Sequence, residues 1–104
     1  MRALSQLRIY HIAPGRMEQF VREWKAGVVP LRLSHGFRVD GAWVVEGEDS
    51  FVWILTYEGD ETFESRDEGY YASPERKSLE PDPARHIDRQ QTRFMRSVLD
   101  SGER

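Results

Sequence analysis

The hydrophobic period of this chain changes in a fixed order: strand-like, helical, strand-like twice, helical, strand-like. That order constrains the fold more than any single motif. Leu4 to Ile12 partly alternates and is rich in β-formers. Ala13-Pro14-Gly15 ends this first strand, because proline has no ladder donor and glycine permits a sharp turn. From Arg16 the apolar residues Met17, Phe20, Val21, Trp24, Val28 and Leu31 recur at three- and four-residue spacings, the stripe of an amphipathic helix. Gly27 and Pro30 interrupt it, which predicts a kink or break, and Gly36 after His35 predicts a C-terminal cap. Residues 37–46 and 51–57 read as the next two strands, joined by a hairpin turn over 47–50. Asp60 is the expected N-cap of a second helical region, with Phe63 its first buried residue. Ser73-Pro74-Glu75 predicts a further helix start, with serine as cap and proline in the first helical position. Pro81 and Pro83 stop that segment, and residues 86–98 read as a last, polar strand. The result is an α+β chain, a ferredoxin-like βαββαβ fold. Its four-stranded antiparallel sheet runs in the order 4-1-3-2, with both helices on one face.

That arrangement leaves the other sheet face bare, and the hairpin indicates what it carries. An even-length turn places Trp43 with Val45, Val52 and Ile54, and places Val44 with Phe51, Trp53, Leu55 and Tyr57 on the opposite side; an odd-length loop would swap the strand-2 set and still leave large side chains on each face. Both faces are therefore apolar. At 104 residues the chain forms one domain, expected over 1–99, followed by a flexible tail over 100–104. A domain this small is expected to cover its second face with a partner, most simply an identical subunit in a homodimer. Polar residues of the last strand, such as Gln91 and Arg93, are expected to supply hydrogen bonds there. Arg8 and Arg93 are expected to be neighbours on paired strands. If both enter the interface they need acceptors, for which Glu46 and Asp88 are candidates.

Composition removes several function classes. The net charge of −3 gives no electrostatic case for nucleic acid. The absence of cysteine excludes disulfides, thiolate metal sites and a cysteine nucleophile. No apolar run approaches the roughly 20 residues of a membrane span, and no targeting segment is visible, so cytoplasm is the expected compartment. There is no phosphate-binding glycine loop, GxSxG or HExxH spacing.

Several segments are similar to a known family. Leu7-Arg8-Ile9-Tyr10-His11-Ile12-Ala13-Pro14-Gly15 resembles the opening strand and turn of NIPSNAP proteins. So do His35-Gly36-Phe37, Gly41-Ala42-Trp43 and Phe51-Val52-Trp53, and Tyr70-Tyr71-Ala72-Ser73-Pro74-Glu75 resembles that family's second-helix motif. The resemblance covers nearly the whole chain in order. It implies a dimeric α/β barrel, in which two ferredoxin-like sheets face each other. Relatives in that superfamily include cofactor-free monooxygenases and haem enzymes, and the fold by itself carries none of these activities across. The chain departs from the pattern at Asp67 and Arg76, where the resemblance implies tryptophan. A more polar or more open pocket is then expected.

The candidate chemistry lies in the aromatic residues. Trp24 on the helix stripe, Trp53 on a central strand and Tyr71 could line a cavity between sheet and helices, suited to a flat hydrophobic molecule. Tyr10 or His11 would supply its polar handle and are the candidate catalytic residues. The alternative is that these rings only fill the core and a dimer interface, making the chain a non-enzymatic interaction module. Haem binding through His11, His35 or His86 is a third possibility, and nothing in the spacing selects one histidine. No tightly bound metal and no cofactor are expected, and the sequence leaves open whether the chain is an enzyme.

Overall fold

The computed structural model describes residues 3–99. The expected tail over 100–104 lies outside the described residues. Strand β1 (Leu4–Ile12) leads through the Pro14-Gly15 turn into helix α1 (Met17–Glu23), a π-helical turn (Trp24–Val28) and helix α2 (Val29–Ser34). Strands β2 (Phe37–Val44) and β3 (Ser50–Tyr57) form the hairpin. Helices α3 (Phe63–Ala72) and α4 (Pro74–Lys77) and a 3-10 turn (Pro83–His86) precede strand β4 (Ile87–Met95). The sheet is antiparallel throughout, in the order β2-β3-β1-β4, and the helices cover one face.

The predicted break between Gly27 and Pro30 takes the form of the π-helical turn. Pro30 lacks the N–H that would continue the α ladder, and the Val29 N–H reaches back five residues to the Trp24 carbonyl. At 3.6 residues per turn, side chains four apart drift by about 40° per step. The wider turn absorbs that drift, so Phe20, Trp24, Val28 and Arg32 all bury on the sheet side. Gly36 has φ +87° and terminates α2, as the sequence predicts.

Boundaries differ from the sequence reading in four places. Thr62, not Asp60, caps α3, accepting the Ser65 N–H at 3.0 Å. Strand β2 stops at Val44, because Val45 N–H closes the turn on the Ser50 carbonyl. Strand β4 spans Ile87–Met95, while His86 sits in the preceding 3-10 turn. The fourth is a bulge at Asp40: Val39 pairs with Leu55 and Gly41 with Ile54. The extra residue reverses the alternation, so Phe37 is buried against the helices while Trp43 emerges on the other face. Asp40 is held by the Thr56 hydroxyl at 2.6 Å.

The register separates two surfaces. Gln6, Arg8, Tyr10 and Ile12 share the helix-covered face with Phe51, Trp53 and Leu55. Leu7, Ile9 and His11 share the open face with Val52 and Ile54. This corrects the expected pairing of Arg8 with Arg93. Arg8 lies opposite Thr92 while Arg93 lies opposite Leu7, so the two arginines point to opposite faces. Neither Glu46 nor Asp88 serves Arg8; its hydrogen-bond acceptors are Gln6, Tyr10 and Tyr71.

Candidate ligand-binding site

Between the sheet and the helices lies a cavity of about 340 Å³, at the small end of the roughly 300–1,000 Å³ typical of ligand pockets. Its wall includes Tyr10, Trp24, Arg32, Trp53, Tyr71 and Arg76, and it opens beside the exposed Asp88, Arg89 and Gln90 of β4. Each wall residue is positioned by an element already described. Tyr10 and Trp53 come from the two central strands, Trp24 from the π-helical turn, Arg32 from α2, Tyr71 from the end of α3 and Arg76 from α4. The indole of Trp24 meets that of Trp53 edge-on, at 5.2 Å between centroids and 78° between planes, the geometry that aromatic quadrupoles favour.

The sequence candidates divide between the two faces. Trp24, Trp53, Tyr71 and Tyr10 come together on one wall. His11 does not join them: it lies on the open face, with Nδ1 3.3 Å from the Ser50 hydroxyl. His35 caps α2 and meets the ring of Tyr70 edge-on at 5.5 Å. His86 is buried beside Glu23, with Nε2 3.3 Å from its carboxylate. No histidine lines the cavity among the described residues, so the histidines do not fit an axial haem ligand there. Among the described residues, no cluster of three or more His, Asp or Glu could hold a metal ion, and no helix is long and apolar enough to cross a membrane.

Three arginines give the site its electrostatics; of these the sequence reading pointed only to Arg76, as a departure from the aromatic pattern. Arg32 is 1% exposed. Its guanidinium lies 3.7 Å from the ring centroid of Tyr70, an arrangement that favours the cation. It donates to Asp67 at 2.7 Å and to the Tyr71 hydroxyl at 3.3 Å. Arg76 makes a two-pronged pair with Asp82 at 3.1 and 3.2 Å. Asp67 and Arg76, the two departures from the aromatic pattern, thus give this wall a charged pair and a guanidinium, in line with the more polar pocket that the departure implies.

Arg8 stands behind the wall, buried against Trp53 and Tyr10. It donates through Nε to Tyr10 at 3.0 Å, through Nη1 to Gln6 and through Nη2 to Tyr71 at 3.0 Å. Burial acts to lower its pKa, but the electrostatic and hydrogen-bonding influence of Tyr10 and Tyr71, with Asp67 further off, outweighs that and holds the guanidinium charged. Burial also pushes Tyr10 above the usual phenol range against the opposing pull of Arg8, so its hydroxyl remains a donor at neutral pH.

Nearly the whole chain, residues 5–101, matches the NIPSNAP family model. The chain belongs to the NIPSNAP family. Among solved structures similar to this NIPSNAP protein is a NIPSNAP family protein of unknown function from Agrobacterium tumefaciens, with a TM-score of 0.83 and 17% identity over 99% of this chain and 95% of that one. An uncharacterized NIPSNAP domain protein from Burkholderia xenovorans gives 0.79 and 18% over 91% and 94%. A candidate antibiotic biosynthesis monooxygenase from Bacteriodes thetaiotaomicron gives 0.71 and 17% over 96% and 93%. At such identities the likeness carries the fold alone. No curated protein matches this NIPSNAP chain.

Proposed function

We propose that this NIPSNAP protein binds a small, flat, largely hydrophobic molecule in the cavity between sheet and helices. The observation that carries the reading is the cavity itself: Trp24 and Trp53 supply its aromatic wall, with Tyr10 and Tyr71 lining it beside them. A protein whose rings served only as core filling would close this space, because interiors pack to crystal-like density. Oxygenase chemistry without a cofactor is the catalytic extension of this reading. Its support is the shared fold with the candidate monooxygenase, and oxygen uptake in the presence of a bound phenol tests it.

The open face supports self-association as a homodimer. Trp43 is 53% exposed there, beside the half-buried Leu7, Ile9, Val52 and Ile54. A contiguous apolar patch of this kind marks an interaction surface. A two-fold axis would pair it with itself, and the interaction-module reading would rest on this surface alone.

The three tryptophans allow the cavity to be tested without knowing its natural occupant. Each indole N–H gives one cross-peak in a ¹⁵N-correlated NMR spectrum, and Trp43→Phe identifies the peak from the open face. Titration with 2-naphthamide, a neutral flat probe, is expected to move the Trp24 and Trp53 peaks and leave Trp43 in place. Movement of Trp43 alone would put the probe on the wrong face of the sheet and end the cavity reading.

A further inference from the structure

The polar groups around the cavity are unbalanced in a way that the hydrophobic reading does not use. Trp24 Nε1, Arg32 Nε, Arg76 Nε and the Tyr70 hydroxyl are all buried without a hydrogen-bond partner, and all four residues line the cavity. Three of these atoms can only donate. Trp53 Nε1 acts on the Tyr10 hydroxyl as a hydrogen-bond donor but makes no hydrogen bond of full geometry. Leaving such a group unsatisfied is costly, so several on one wall call for an acceptor-rich occupant.

The charges point the same way. Arg32 is neutralised by Asp67, and Arg76 by Asp82. Arg8, 4% exposed, has no carboxylate within 4 Å among the described residues. Its acceptors Gln6, Tyr10 and Tyr71 are not carboxylates and Asp67 acts on it only from further off, so its charge is hydrogen-bonded with no counter-ion in contact. A buried cation without a counter-charge is costly. The phenol oxygen of Tyr10 already accepts from Arg8, and that of Tyr71 accepts from both Arg8 and Arg32. What each phenol has left to offer is its own proton, polarised by the guanidinium behind it.

We propose that the natural occupant is an acid: a flat apolar molecule whose carboxylate faces Tyr10, Tyr71 and the free N–H groups of Trp24, Arg32 and Arg76, with Arg8 as the counter-charge one layer back. This inference rests on the cavity reading and names the chemical class of what fills it. Charge-assisted hydrogen bonds from several preset donors distinguish a carboxylate from an isosteric amide, whose own N–H groups would meet donors instead of acceptors.

The test compares 2-naphthoate with 2-naphthamide, matched in shape and differing in charge, by the same indole spectra at about pH 7, where the naphthoic acid is ionised. Naphthoate is expected to bind about tenfold or more tightly than the amide, moving the Trp24 and Trp53 peaks. In Arg8→Gln the preference is expected to fall below about threefold, because the charge that favours the carboxylate over the amide is gone. Arg76→Gln, at a less buried site, is expected to reduce the preference in the same direction, and serves if Arg8→Gln does not fold. Equal affinity for the two probes in the wild type would overturn the acid and leave the cavity reading intact. If neither probe moves Trp24 or Trp53, both readings fail. A full preference retained in both variants would remove the arginines from recognition and overturn the assignment.

Discussion

Trp53→Ala is expected to lower folding stability by about 3–5 kcal/mol, a large share of the roughly 5–15 kcal/mol of a typical domain. Trp53 is 1% exposed on a central strand. Its ring meets Trp24 at 5.2 Å and Tyr10 at 6.2 Å, both edge-on, and Arg8 stacks 5.4 Å away. Truncation removes the apolar burial and extends the existing cavity into a larger void, and the two penalties add. It also withdraws the ring against which the buried charge of Arg8 rests. Chemical denaturation of the wild type and the variant measures the difference. Trp53→Phe, which keeps an aromatic ring in place, is expected to recover more than half of the loss. A loss below about 1 kcal/mol for the alanine variant would mean that the site collapses around the gap, and that Trp53 is not a structural centre.

The second large effect belongs to the open face. Ile9→Asp is expected to convert a wild-type dimer into monomers or aggregates at micromolar concentration, read by sedimentation velocity. Ile9 lies opposite Val52 on one side and Gln91 on the other, in the middle of the sheet. In a two-fold arrangement the new carboxylate would be buried in both copies at once, which no partner there compensates. The substitution leaves the helix-covered face alone, so the indole shifts of Trp24 and Trp53 on adding naphthoate are expected to persist in the monomer. A wild-type protein that already sediments as a monomer would end the homodimer proposal.

The frame of the fold was legible because it depends on period and punctuation. The strand and helix order, the Gly36 cap and the Ser73-Pro74 start follow from local physical chemistry. The register of Trp43 and Val44 is the one an even-length turn gives, but the sequence left open an odd-length loop with the strand-2 faces exchanged. The meeting of Trp24, Trp53, Tyr71 and Tyr10 was also legible, since each sits on an apolar stripe or strand that can face the same side. Of the charged part, Asp67 and Arg76 were flagged through the family resemblance, while Arg32 and Arg8 were not. Arg32 lies between Leu31 and Leu33, and a pattern reader takes the leucines as buried. Yet Leu33 is 52% exposed while Arg32 is almost fully enclosed, because the π-helical turn rotates α2 in a way no composition rule encodes. Arg8 shares parity with Tyr10 and so was assignable to the helix side. Long-range pairing drew attention to Arg93 instead, and strand alternation puts Arg93 on the far surface. The bulge at Asp40 did have a signal, Gly41 inside the strand, which the sequence reading did not use.

The wider turn in the long helix has a consequence for how this protein can vary. Straightening that turn into an ordinary α-helix with all its residues kept would add about 100° of rotation and swing Arg32 away from Tyr70 and Asp67. Losing one residue between Lys25 and Gly27 would straighten the helix and leave Arg32 facing the same way, because the wider turn accommodates one extra residue. The charge of the pocket is thus written in the match between residue count and helix geometry as much as in residue identity. A relative with one residue fewer and an ordinary helix would hold the same arginine at the same address.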